Sequence, residues 1–508
     1  MATATATGMA MMTAKLVAGN RQPLPLESMF SWLMCAVVFF GTALQTELVV
    51  AGDWVFDHSS TVKLSHVDRS GIGGYSGEIL QASPRLHLHG EGRKLKADIN
   101  YNPVISVGNG DTDPKFLTHE GIGRARLEAV EDRFFIGADA SARLTGNNSI
   151  DGRRAQVDAI NFNSEGGEQS YSFGLIPEYR QHLNRYAELV SRNRIDWVTY
   201  SGNDFGEGSS DSRGRTLNLS IVSGRHFNAY NWSLNATQRK TFYDSDRDDT
   251  TRDSVWAVLG YRFNPRWSVN GSIGYEDNDV QTDRAKTNGA IWDVGARWTP
   301  NPRTSVGAKI GERYFGDFYS GDISHRTRRT QLSAGFSRDV TNRRSQQLVD
   351  SFFFLADSNG NPVVDQNGNP IVANIPQLQN TNEDFINTQF RGAMTITGRR
   401  TNVTITGNVS NRDYEVSRED EDSYSLTVSA RRDLGASYNA TLTGRTEHVE
   451  RSGGDDTDTY DVRFSLSKNL SPRTSTALEL GYRDYNAESS ILDYTEKRIG
   501  VSFTTTWL

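Results

Sequence analysis

From Trp54 onward the chain repeats one unit, a stretch of about ten residues with apolar side chains at alternate positions, followed by a polar break. In the last stretch, Ile499-Gly500-Val501-Ser502-Phe503-Thr504-Thr505-Thr506-Trp507, the odd positions are mostly apolar and the even ones are Gly, Ser or Thr. Trp292, Val294, Ala296 and Trp298 alternate with Asp293, Gly295 and Arg297, and Val306, Ala308 and Ile310 with Gly307, Lys309 and Gly311. Phe134, Ile136, Ala138, Ala140, Ala142 and Leu144 alternate with Asp139, Ser141 and Arg143. A period of two marks a β-strand with one apolar and one polar face, and a slip of one residue would exchange the faces.

The breaks are of two kinds. Asn264-Pro265-Arg266, Pro300-Asn301-Pro302-Arg303, Ser471-Pro472-Arg473, Gly398-Arg399-Arg400, Gly435-Ala436 and Glu91-Gly92-Arg93 are tight, whereas residues 244–249, 276–283, 417–422 and 452–458 are longer and acidic. Short turns at one end in strict alternation with long loops at the other predict an all-β, transmembrane antiparallel up-and-down barrel with periplasmic turns and extracellular loops. The expected count is 22 strands, within a range of 18–22, starting at 54–67 and ending at 497–508, with 304–315, 329–339, 345–356 and 384–398 in the second half. The apolar face meets lipid, Trp267, Trp298 and Trp507 form a girdle beside the tight turns, and the polar face lines a lumen. The close departs from the usual terminal aromatic of such barrels, since Trp507 is penultimate and Leu508 is last.

Composition narrows the alternatives. At 508 residues the chain is long enough for three domains, yet it is only 36% hydrophobic and 23% charged, too polar for three cores. Its 9 Trp, 19 Tyr and 23 Phe are too many for a disordered chain. With a mean hydropathy of -0.58 and no apolar run of 18 residues after the first fifty, a bundle of membrane helices is excluded.

Residues 29–43 are apolar, follow Lys15 and Arg21, and precede Val49-Val50-Ala51, which reads as a secretory signal peptide cleaved after Ala51. The expected division is therefore 1–51 as leader and N-terminal extension and 52–508 as barrel, with no separate plug ahead of Trp54. Removal of the leader takes away Cys35, the single cysteine, which excludes disulfides and cysteine chemistry from the mature chain. The net charge of -7 is unchanged, because Lys15 and Arg21 leave together with Glu27 and Glu47. This acidic balance disfavours nucleic acid.

Arginine outnumbers lysine 45 to 10. On the expected lumen face lie Arg143, Arg297, Lys309, Arg313, Arg445, Arg463, Arg483 and Arg498, together with Asp139, Glu276, Asp293, Glu447 and Glu479. One reading is a ladder of charge pairs across neighbouring strands. The other is a track for a polar, anionic polymer, since guanidinium groups bind carboxylates and phosphates in bidentate fashion. The two readings are compatible.

Other candidate sites are weaker. Residues 357–372 carry a tandem D-x-N-G-N-P-[VI]-V in which Asp357, Asn359 and Asn361, then Asp365, Asn367 and Asn369, imitate the first half of a calcium loop, but both copies lack the closing Glu. A surface hairpin or plug-like loop with Asn-Gly turns suits them better. His87 and His89 share a strand face without a third ligand nearby, so no metal is expected. No nucleophile elbow, phosphate-cradling loop or cysteine cluster stands out, so neither an enzyme nor a cofactor is expected. Outer-membrane lipid and lipopolysaccharide are the expected partners; the acidic loops read first as solvated charge, with a divalent-bridged contact to lipopolysaccharide as the sharper alternative.

Gly52-Asp53-Trp54, the hairpin from Ser83-Pro84-Arg85-Leu86-His87-Leu88 through Asn100-Tyr101, the repeated Asn/Ser-Pro-Arg turns and the close from Leu480-Gly481-Tyr482-Arg483-Asp484-Tyr485 to Trp507 resemble the PEP-CTERM system-associated outer-membrane β-barrel family. The likeness spans nearly the whole mature chain, in layout and short turns, and carries no catalytic motif. It implies a Gram-negative outer-membrane component of exopolysaccharide production or export, with polysaccharide and periplasmic export components as partners. The resulting expectation is a polymer conduit or accessory pore whose wide lumen is narrowed by the loop at 357–383. A structural or adhesive barrel, or less readily an outer-membrane enzyme, is the alternative.

Overall fold

The computed structural model describes residues 52–507 apart from 72, 113, 149–152, 156–166, 203–210, 228, 245–247, 343 and 345–382. The leader and the calcium-like repeat at 357–372 lie outside the described residues, as does the expected strand at 345–356.

Twenty-four strand segments form one antiparallel sheet that closes on itself. In chain order they are β1 (Gly52–Gly71), β2 (Tyr75–Gly92), β3 (Leu95–Gly108), β4 (Leu117–Val130), β5 (Phe134–Asn148), β6 (Arg153–Ala155), β7 (Gly167–His182), β8 (Ala187–Arg192), β9 (Arg194–Gly202), β10 (Ser212–Ser223), β11 (Tyr230–Tyr243) and β12 (Thr250–Asn264). The second half continues with β13 (Trp267–Asp279), β14 (Asn288–Asn301), β15 (Thr304–Arg313), β16 (Gly316–Arg326), β17 (Thr330–Asn342), β18 (Asp384–Thr397), β19 (Thr401–Tyr414), β20 (Asp420–Asp433), β21 (Tyr438–Arg451), β22 (Thr457–Ser471), β23 (Thr474–Ala487) and β24 (Tyr494–Trp507). Closure runs through β1 and β24, from His58 opposite Trp507 to Gly71 opposite Tyr494, with the hydroxyls of Thr61 and Thr504 bonded at 2.9 Å. A closed sheet leaves no unpaired edge, which is the condition for a β-structure to stand in lipid.

Two segments add no wall position of their own. β6 is a three-residue ribbon on the end of β5. β8 and β9 both lie between β7 and β10 and are one strand interrupted at Asn193. That residue is held by its N–H donating to the Pro177 carbonyl (2.9 Å) and its side-chain oxygen accepting from the Asn218 N–H (3.3 Å). The wall therefore has 22 strands among the described residues.

The expected set differs from the observed one at one place. Residues 316–326 form a strand that the alternation does not reveal, because its outward row is Tyr319, Gly321, Ile323 and His325, with two strong apolar side chains in four. The Phe336 ring on β17 fills the space above Gly321; a Cβ there would lie 2.3 Å from its Cε1. The connection from β15 to β16 is the two-residue turn Tyr314-Phe315, with Gly316 at φ +105°. Long loops at that end therefore do not alternate strictly with short turns, as the sequence pattern had implied.

Along each strand one row is exposed and the other covered. On β13, Ile273 and Tyr275 are exposed at 68% and 54%, while Glu276 between Tyr275 and Asp277 is 1% exposed. The outward row carries Val62, Leu64, Val255, Leu259, Ile310, Val462 and Phe503, an apolar surface suited to lipid. Trp267 and Trp298 stack on it beside the tight turns at 5.7 Å, and Trp507 lies at the same end. The inward row is polar, so the fold encloses a charged interior rather than a hydrophobic core.

Candidate functional site

All thirteen charged residues singled out in the sequence have inward parity, alternating with the row that carries the exposed apolar side chains of the same strands. Asp139 accepts a bidentate pair from Arg194 (2.7 and 2.8 Å), and Glu276 accepts from Arg313 (2.7 Å). Asp293 meets Lys309 at 2.9 Å and Arg297 meets Asp322 at 3.0 Å. Glu447 is bound by Arg445 at 2.7 Å, Glu479 by Lys63, and Glu496 by Arg498. Arg463 and Arg483 converge on Asp461 at 3.0 and 3.2 Å. Arg143 sits on the same row, with its carbonyl accepting from the Gln169 amide at 2.8 Å.

Many of the interior charges are thus compensated, although Arg239 of β11 forms no ion pair among the described residues. Several pairs join residues two apart on one strand (Asp461 with Arg463, Arg445 with Glu447, Glu496 with Arg498), a spacing that puts both side chains on one face. Others join adjacent or next-nearest strands, as Arg313 of β15 does with Glu276 of β13. Charges removed from water need such partners, and Arg412 and Glu421, each only 1% exposed, are paired with each other.

Near the long-loop end, pairs that sequence reasoning missed join parts of the wall far apart around the barrel. Arg252 at the start of β12 meets Asp384 at the start of β18 at 2.6 Å, and Asp384 also accepts from the Asn342 amide at 2.9 Å. Arg344, beyond β17, binds Asp196 of β9 and donates to the Ser212 hydroxyl of β10 at 2.8 Å. Arg284 in the β13–β14 loop meets Glu415 after β19 at 2.6 Å, and Arg418 meets Asp283 at 2.9 Å. The Glu415 hydrogen bond raises the Arg284 pKa further, so that guanidinium stays charged.

Between these contacts the Tyr314-Phe315 turn folds inward. The Tyr314 N–H donates to Glu276 at 2.9 Å, and Phe315 packs with Val340 and Ile386. Burial pushes the Tyr314 phenol well above its ordinary pKa, so it stays protonated. No local sequence signal announces these partners, since Arg252 and Asp384 are 132 residues apart and Arg344 and Asp196 are 148 apart.

Toward the tight-turn end, His89, Asp98, Arg124, Arg126, Glu178 and Arg194 line a cavity of about 520 Å³. His87 and His89 do share a face, and the His89 Nδ1 lies 2.9 Å from Asp98. Among the described residues there is no group of three or more ligating side chains placed to hold a metal ion.

No protein-family model matches the chain, and no curated protein does. Solved structures do match in fold. A variant of the ferric enterobactin receptor from Pseudomonas aeruginosa, in complex with enterobactin, superposes with a TM-score of 0.50 at 8% identity, covering 89% of this chain and 81% of the receptor. With the closed 22-strand wall and its outward apolar face, this decides the class. The protein is an outer-membrane β-barrel. The siderophore receptor PirA from Pseudomonas aeruginosa (TM-score 0.46, 9% identity, 89% of this chain and 80% of that one) and the copper transporter OprC (TM-score 0.44, 10% identity, 88% and 80%) are also similar to it. The barrel's tight-turn end, where both β1 and β24 have their outer termini, is then the periplasmic one.

Proposed function

We propose that this barrel serves the production or export of an exopolysaccharide, as a conduit or accessory pore of the outer membrane. The observation that carries the reading is the interior itself. A wall of 22 strands is too wide for side chains alone to fill, and its inward row is polar, with many of its charges ion-paired. Compensated charges present hydrogen-bonding groups to a passing sugar chain without a deep electrostatic well. The resemblance to the PEP-CTERM system-associated family supports the same context, and periplasmic export components are the partners it implies. Among the described residues no catalytic constellation competes with it, and the structural neighbours carry the names of receptors and a transporter.

Barrels of this size are commonly plugged. Here the occluding material is proposed to be the segment that includes 357–383, which apart from Glu383 lies outside the described residues; in support, the residues flanking it, Arg344 and Asp384, bind distant parts of the wall. Deleting residues 359–380 should raise single-channel conductance in planar bilayers. A barrel that conducts nothing with or without the segment contradicts the conduit. The same cross-barrel pairs favour a second reading, a closed structural or adhesive barrel, which that result would support.

A further inference from the structure

The periplasmic turns share one backbone contact. At each of the ten, the residue just before the ascending strand offers its carbonyl to an N–H of the neighbouring strand, at 2.7–2.8 Å, as from Thr299 to Arg266 and from Arg326 to Arg303. The acceptors are Lys94, Arg133, Tyr186, Ala229, Arg266, Arg303, Arg329, Arg400, Ser437 and Arg473. Seven of the ten are basic, although a carbonyl bond asks nothing of the side chain and Ala229 serves equally well. The shared contact sets these seven cations at one level of the wall. The ring is therefore a property of the side chains.

Their row is defined by the sheet. The next residue, as at Trp267, Thr304 or Thr474, begins the outward row, so the cation before it has inward parity, at the mouth of the barrel. Lys94 lies opposite Glu128 and Arg400 opposite Asp433 without forming an ion pair, whereas Arg303 lies opposite Arg326, and Arg133 opposite an Arg180 that is paired with Glu178; like charges directly opposite each other destabilise a sheet unless an anion lies between them. None of the seven basic residues forms an ion pair with a carboxylate among the described residues, in contrast to most of the charges of the wall above them. The opposite end is acidic, with Asp248, Asp249, Asp279, Asp283, Asp420 and Asp422.

We infer that this collar is an entry site for a polyanionic sugar polymer, one bearing carboxylate or phosphate groups. Uncompensated guanidinium groups at the mouth attract such a chain from the periplasm and bind its anions in bidentate fashion, and the paired wall beyond holds it weakly. The inference rests on the conduit reading and adds the charge of the cargo. Phospholipid headgroups are a less suitable occupant, because the parity of the seven residues turns them from the lipid face.

The test is direct binding to the purified full chain in detergent, with polygalacturonate as the acidic probe and dextran as the neutral one. The wild type should bind polygalacturonate and not dextran, more weakly by about tenfold when salt is raised from low to physiological strength. The variant R303Q/R400Q/R473Q should bind at least about tenfold more weakly than wild type. R215Q/K240Q removes an exposed arginine and a half-buried lysine that face each other on the outward face at the other end and should bind as wild type does. Equal binding by the triple variant and the wild type, or no preference for the acidic probe, overturns the proposal. So does a triple variant that keeps polygalacturonate binding and loses co-purified anionic phospholipid, which would assign the collar to lipid. Binding as expected together with normal export by a deletion strain would overturn the conduit and leave the collar standing. Failure of both assignments separately is therefore distinguishable.

Discussion

Arg252 on β12 and Asp384 on β18 meet at 2.6 Å although five wall strands separate them around the barrel. Asp384 is 4% exposed and Arg252 19%, so the pair is largely withdrawn from water. Removing one partner of such a pair leaves the other buried without compensation. Asp384→Ala should therefore destabilise the barrel by roughly 3 kcal/mol in denaturant titration, whereas Arg252→Met with Asp384→Leu should recover most of that loss. If the single variant unfolds with the wild-type midpoint, the pair has no structural weight.

Arg344 makes the longest reach, to Asp196 and Ser212. Arg344→Ala should loosen whatever that residue tethers, seen as a higher single-channel conductance or more frequent opening, with the folded barrel retained. Unchanged current traces would mean that the tether does not limit passage.

Charge selectivity should follow the local pairing around Asp461. With Arg463 and Arg483 both replaced by Ser, its carboxylate loses both of these ion-pair partners and the reversal potential in a salt gradient should shift toward cation preference. Asp461→Asn frees two guanidinium groups and should shift it the other way. Identical reversal potentials in the two variants would show that ions do not pass this part of the wall.

Gly321 and Phe336 form a coupled pair on the lipid face. Phe336→Ala should cost about 1–3 kcal/mol by uncovering the bare backbone at Gly321, and less in a Gly321→Val background, where the valine covers it. Additive losses in the double-mutant cycle would remove the packing argument.

These cases also mark what can be read from sequence. Strands such as β13, β14 and β24 alternate so regularly that their faces follow from residue types, and the Asn-Pro-Arg turns fix where they end. β16 escapes because Gly321 borrows its outward cover from Phe336 on another strand, and because a two-residue turn leaves no polar break before it. The interior divides similarly. Pairs two residues apart, such as Asp461 with Arg463, are visible as a local pattern, whereas Arg252 with Asp384 depends on where the closed wall brings distant strand ends. Three of the seven basic turn residues, Arg266, Arg303 and Arg473, were visible as a Pro-Arg repeat, but the common level of all seven appears only through the carbonyl that each one offers its neighbour.

The conduit reading is tested most directly by the amount of polysaccharide that reaches the cell surface in a strain lacking this protein. The account predicts a marked fall in surface polymer with accumulation in the periplasm, restored by the wild-type chain. Normal surface polysaccharide in the deletion strain would contradict it and leave the barrel a structural role.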